Sequence, residues 1–299
     1  MLSDKLKNYL HLHLLVFIAG FTAILGELIS ISATSLVWYR MIIAAVLMIG
    51  YIRFRKTNIA LSLKTCIKFS IAGIFIALHW ITFFESIKQS NISIALAMFS
   101  TGAFFASLIE PLFFKRRVIW YEILFGILVI LGVWIITQTE IKYINGIILG
   151  IISALFSTIF AVINGKFVKR YSASVISFYE FLSGVFFISI FIAIFGDGFD
   201  ATFFKLSFDD WKYLIILGSI CTAYTFIAAV HIMKHLSPYT VVLTYNIEPI
   251  YGIAMAIILF PAKEKMSSEF YLGAVIIIGT VLLNGILKNS IRLKRNSTS

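Results

Sequence analysis

Residues 92–114 read ISIALAMFSTGAFFASLIEPLFF, a run of 23 residues with one charged side chain, Glu110, near its end. As a helix it rises about 34 Å at about 1.5 Å per residue, enough to cross a hydrocarbon core of about 30 Å. A surface helix of a soluble domain buries one stripe and keeps the rest polar. This stretch has no polar face to keep.

Similar runs recur on both sides of it. Ten segments qualify: 10–28, 34–53, 67–87, 92–114, 118–137, 146–164, 174–195, 213–233, 238–260 and 268–287. Composition agrees with that count. The 299 residues are 60% hydrophobic and 13% charged, with mean hydropathy +0.98. A soluble domain carries roughly 25% charged residues. The expected fold class is an all-α membrane protein of ten transmembrane helices in the lipid bilayer. Lys5 and Lys7 before the first apolar run resemble the start of a signal peptide. No small-x-small cleavage site follows, so the run is read as an uncleaved first span. The longest connection, 196–212, mixes Asp197, Asp200, Asp209 and Asp210 with Phe199, Phe203, Phe204 and Trp211, and is expected to lie in the membrane interface.

A net charge of +11 raises nucleic acid as a partner, but the Lys and Arg lie between apolar runs, which argues against it. With both termini cytoplasmic, 18 basic residues fall in inner segments and 6 in outer ones, as the positive-inside rule requires. Cys66 and Cys221 have neither metal-ligand spacing nor a disulfide framework around them.

The chain also repeats itself. Slid by 147 positions, residues 89–137 fall on the second half without a gap. Ser90 lands on Ser237, Leu96 on Leu243, Phe113 on Phe260, Glu122 on Glu269, Gly126 on Gly273, Ile130 on Ile277 and Gly132 on Gly279. Upstream the best shift is 140, which brings Ser32-Ala33-Thr34 onto Ser172-Ala173-Ser174 and Tyr39 onto Tyr179. The expected units are a five-helix repeat at 1–140 and another at 141–299. Five is odd, so the second repeat enters the membrane from the other side. Two inverted halves that exchange conformations open a shared cavity to each face in turn.

With these residues in place, the chain resembles the EamA-type branch of the drug/metabolite transporter superfamily. The resemblance is carried by Arg40, by Ala77-Leu78-His79-Trp80-Ile81-Thr82-Phe83-Phe84, by Leu108-Ile109-Glu110-Pro111-Leu112, and by the closing helices with Gly126 and Gly273. It implies a ten-helix inverted-repeat carrier of the bacterial inner membrane, both termini cytoplasmic, exporting small metabolites such as amino acids. No cofactor or metal is implied, and a homodimer is allowed. The first half has Arg117 where the second has Glu264, a place where the family often shows a Gly-Glu pair in each half. No role is carried over to that position.

Ionisable groups inside a bilayer are costly and mark function by default. Arg40 is about 10 Å deep at about 1.5 Å per residue, where it would grip a substrate carboxylate or pair with Glu27 or Glu85. Its repeat counterpart Glu180 offers an anion, which together would suit a zwitterion. Glu248 lies near mid-depth with Pro249 after it, which leaves the carbonyl of Tyr245 without its helical partner. Such an acid is a candidate for a proton-coupled step or a hydrogen-bonded brace for the bend. Glu110 is expected near the inner end in a structural role. His79, Trp80 and Phe83 share a mid-span region that suits an amphipathic ligand, or else His79 is a hydrogen-bonded structural residue. Tyr39, Thr101, Tyr179, Tyr224 and Tyr245 add hydroxyls to the same expected substrate site, or else each tyrosine anchors a helix, and Thr244 shares a face with Glu248. The glycines at 126, 132, 146, 150, 273 and 279 read as packing positions.

The rival classes are an intramembrane enzyme and a channel or lipid flippase. No His-Glu-x-x-His, Gly-x-Ser-x-Gly or Walker A pattern occurs, so neither an enzyme nor an ATP-driven pump is expected.

Overall fold

The computed structural model describes residues 4–115, 119–196, 198–232, 235–236, 241 and 244–296. Arg117, Ser237 and Leu243 of the repeat alignment, and most of the first half of the ninth expected span, lie outside them. The helices are α1 (Asp4–Leu28), α2 (Ala33–Phe54), α3 (Leu63–Gln89), α4 (Ile92–Phe99), α5 (Gly102–Phe114), α6 (Trp120–Thr139), α7 (Ile144–Phe167), α8 (Ala173–Phe195), α9 (Phe208–Gly218), α10 (Thr225–Ile232), α11 (Glu248–Leu259) and α12 (Ser268–Asn296). A π-helical segment, Ser219–Tyr224, joins α9 to α10. Among the described residues nine helices are long and apolar enough to cross a membrane, and Glu248–Leu259 is a shorter apolar helix. No more than 50% of any of those spans is buried by protein; lipid covers the rest.

Sequence sets the helix starts. Ser32, Ser62, Asn91 and Ser207 each accept a backbone N–H three residues on, at 2.9–3.3 Å, the N-cap bond that a helix start needs. The last of these corrects the interfacial reading of 196–212. Asp209, Asp210 and Trp211 belong to the first turn of α9, because Ser207 caps a helix there. Asp210 is also tied to the end of α1, accepting from Ser30 N at 2.7 Å and Ser30 Oγ at 2.8 Å. Only the part up to Ser207 is a loop, and its Phe203 and Phe199 pack on Trp38.

The halves are inverted. The start of α7 meets the end of α3, where Ser86 Oγ donates to Gly146 O at 2.6 Å. The start of α9 meets the end of α1 through Ser30 and Asp210. The start of α8 meets the α2–α3 connection, where Tyr179 Oη donates to Ile59 O at 2.9 Å. The second half therefore begins on the face where α1 ends. Packing follows the same exchange of halves: α2 packs on its counterpart α8 and α6 on α12, while α3 on α8 is mirrored by α9 on α2.

Two spans are broken at corresponding depths. The fourth is interrupted at Ser100-Thr101, between α4 and α5, and α11 begins at Glu248, the repeat counterpart of Thr101. Pro249 thus starts a helix at a position where its missing N–H costs nothing, instead of bending a continuous one. Paired interruptions of this kind mark the midplane site of inverted-repeat carriers.

The two ends of the α6/α12 pair differ. A Cβ on Gly132 would lie 2.9 Å from Gly273 O, and one on Gly273 2.8 Å from Gly132 O, so the backbones touch there. A Cβ on Gly279 would meet nothing within 4 Å, which corrects its reading as a packing position. A cleft of about 310 Å³ opens on the N-terminal face, lined by His11, Tyr51, Arg55, Tyr224, Ile227, Ala228 and His231. These residues come from both halves.

Candidate functional site

Arg40 is the eighth residue of α2 and is only 3% exposed. Neither expected acid holds it: Glu27 pairs with Lys263, and Glu85 accepts from Gln89 at 2.7 Å. Its guanidinium instead lies over the Trp80 ring, 3.8 Å from Cζ to the centroid, with Phe84 at 5.6 Å. Arg40 Nε donates to Thr222 Oγ1 at 2.8 Å. Thr222 donates in turn to Leu217 O at 2.7 Å, five residues back. The π turn supplies that geometry, since its extra residue turns Thr222 toward α2.

What remains is an unmatched donor. Arg40 Nη1 is buried with no hydrogen-bond partner among the described residues, a condition that costs roughly 1–3 kcal/mol or more for a charged group. Stacking on desolvated Trp80 offsets about 2 kcal/mol. An anion at Nη1 would recover the remainder. Glu248, at the start of α11, is within electrostatic reach of Arg40, as are Cys221 and His79.

His79 is 8% exposed, and its Nδ1 lies 2.8 Å from Ser153 Oγ and 3.1 Å from Ser153 O on α7. Its ring stacks on Phe99 with centroids 5.2 Å apart, and Phe83 closes the group at 6.1 Å. The imidazole is therefore anchored, and its aromatic neighbours give the Arg40 region an apolar wall. Arg40, His79, Trp80, Phe83 and Glu248 come together.

The other expected residues, Tyr245 excepted, have their partners elsewhere. Tyr39 precedes Arg40 on a helix, so it points about 100° away; its Oη donates to Phe203 O at 3.1 Å and its ring stacks on Phe203. Tyr179 is tied to Ile59. Tyr224 lies in the N-terminal cleft, 2.7 Å from His11 Nε2. Thr101 Oγ1 donates to Met98 O at 2.6 Å in the α4–α5 break. Tyr245 packs on the apolar face of α1 beside Glu248.

Glu180 is the informative displacement. It is fully buried, its carboxylate faces the Asn164 side chain of α7, and its backbone lies against Gly73 of α3. Arg40 and Glu180 are each eighth in helices that start on opposite faces. Each is about 10 Å from its own face, so they sit at different depths. Glu248, not Glu180, complements Arg40.

Sequence reasoning missed Thr222, Cys221, Phe84 and Phe99. Phe84 had a signal, four residues after Trp80 on the same helical face. Thr222 had none, because a π turn has no sequence mark here. Thr222→Val is expected to leave protein yield intact and weaken substrate binding about tenfold, the worth of one charged hydrogen bond. The concentration dependence of counterflow measures it; an unchanged half-saturation would separate Thr222 from the site.

Comparison with curated proteins gives no match. Among solved structures, a chain described as "Crystal structure of protein" superposes with a TM-score of 0.65 at 13% identity, over 95% of this chain and 99% of that one. At that identity the likeness speaks for the fold. The model of the EamA-like transporter family matches twice, over residues 6–138 and 144–286. One match falls on each of two inverted halves with a buried cation between them, and the chain belongs to the EamA-like transporter family.

Proposed function

We propose that this protein is a secondary transporter for small carboxylate-bearing metabolites, zwitterions such as amino acids included, working by alternating access. The proposed setting is the bacterial inner membrane, both termini cytoplasmic, with export as the direction. One observation carries the reading: the buried Arg40 Nη1 that no described group satisfies, in reach of residues from both halves. A carboxylate fits that donor by charge and geometry. Glu248 supplies the complementary charge for an amine or a proton, and Trp80, Phe83, Phe84 and Phe99 give an apolar wall. The N-terminal cleft is the route of entry. The basic-residue asymmetry, 18 against 6, supports a cytoplasmic N-terminus.

Reconstitution into liposomes tests it. Preloaded amino acid is expected to drive saturable counterflow of labelled amino acid, and the corresponding amino acid amides are expected to be inert. Non-saturating flux without counterflow would make the protein a channel. Glu248→Gln is expected to cut exchange of zwitterions about tenfold while sparing simple monocarboxylates, as one charged contact is lost. Equal loss for both ligand types would confine Glu248 to the start of α11.

A further inference from the structure

Glu264 lies in the connection between α11 and α12, on the face opposite the N-terminus, and is 1% exposed. Its carboxylate accepts the N–H of Ile92 at 3.0 Å and of Ser93 at 2.9 Å, the first two residues of α4. Those partners are 172 and 171 positions away, in the other half. Asn91 accepts the N–H of Ile94 at 2.9 Å, and its amide donates to Met266 Sδ at 3.1 Å. The first N–H groups of a helix have no partners within it, and a carboxylate there also meets the positive end of the helix dipole. The fit is good on both counts.

The same loop is held at two more points. Lys263 pairs with Glu27 at the end of α1. Glu140, after α6, accepts from Ser267 N at 3.1 Å and Ser267 Oγ at 2.8 Å. Each contact joins the first half to the second, so opening this face must break all three.

An inverted repeat closes its two faces with equivalent parts. By the same alignment shifts, the counterparts of Glu264, Glu140 and Glu27 are Arg117, Leu287 and Phe167. None is an acid. Arginine has donors and no acceptor, so Arg117 cannot receive helix N–H groups as Glu264 does. The face that has the acids is shut, and the cleft lies on the face that lacks them.

We propose that Glu264 is a gate-positioning residue. It caps α4 from the opposite half and so locks the face away from the N-terminus, which leaves the resting protein open toward its N-terminal face. This rests on the alternating-access reading.

Native Cys221 is the reporter: it is 5% exposed and lies in the Arg40 cluster. In a Cys66→Ala background, oriented proteoliposomes are treated with a membrane-impermeant maleimide from one face at a time. Wild type is expected to label faster from the N-terminal face. Glu264→Gln is expected to raise labelling from the opposite face about tenfold, and Glu264→Ala further, as charged helix-capping bonds are lost. Monodisperse Glu264 variants that label from the opposite face at the wild-type rate would overturn the latch. If Cys221 labels from one face only in wild type and every variant, alternating access itself fails along with it.

Discussion

Arg40→Gln is expected to reduce counterflow of every carboxylate substrate by a hundredfold or more, about 3 kcal/mol, while the protein stays folded. The two halves of that expectation come from different groups. Substrate binding loses a charge-assisted contact made in a desolvated site, where truncating one partner costs about 2–5 kcal/mol. Folding loses the Trp80 stacking and the Thr222 bond, but also sheds a buried donor, Nη1, that none of the described residues satisfies. Replacing such a buried charge is often close to neutral for stability. A structural arginine behaves in the reverse way, with thermal stability falling first and transport following. Arg40→Lys is expected to fall between, losing about tenfold or more, because an ammonium keeps the charge without the planar fork that spans Trp80 and Thr222. Melting temperature in detergent and counterflow in liposomes, measured on the same preparations, decide between the two roles. Full transport by Arg40→Lys would remove the carboxylate grip.

The parts of this site that were legible in sequence are those set by cost. Arg40, Glu248 and Glu180 stand out because an ionisable group in a lipid-facing run needs a reason. Inversion was legible from an odd span count and from Gly126, Gly132 and Glu122 recurring in the second half. Which side chains share a pocket was not legible, because that depends on helix rotation and depth. Tyr39 and Arg40 are neighbours in sequence and point to different environments. Arg40 and Glu180 are equivalent in the repeat, and that equivalence is what separates them, since inversion sends counterparts to opposite depths. The Thr222 contact arises from one extra residue in a helical turn, a backbone event without a residue signature. Asp209 and Asp210 misled because acids beside aromatic residues suit both an interface and the first turn of a capped helix. Ser207 decides between those, and a single serine is a quiet signal.

Gly73→Ala is expected to be the most destabilising single-methyl change in the α3/α8 contact. The added Cβ would lie 2.4 Å from Glu180 O and 3.0 Å from Glu180 C and Cα. Those are backbone atoms, so relief requires moving a whole helix by about 1 Å, and overpacking of this kind costs about 1–3 kcal/mol. Gly184 makes the contrast. A Cβ there would run into Met41 Cε and lie 2.8 Å from its Sδ, the end of a flexible side chain, while the backbone atom it meets, Gly73 O, is at 3.2 Å, so Gly184→Ala should cost less. Gly50 closes the series with nothing within 4 Å; Gly50→Ala gains about 0.5–1 kcal/mol of helix propensity and should be neutral or stabilising. The expected order of melting temperatures is Gly50→Ala highest, then Gly184→Ala, then Gly73→Ala. The crossing also bears on transport. In lipid, helices associate through close packing more than through hydrophobic burial, so under the proposed alternating access the α3/α8 contact is where the two halves are held while their ends move. Gly73→Ala should therefore lower the rate of counterflow in protein that remains folded, at temperatures well below its melting point. A Gly73→Ala protein as stable and as fast as Gly50→Ala would mean that the halves do not turn about this contact.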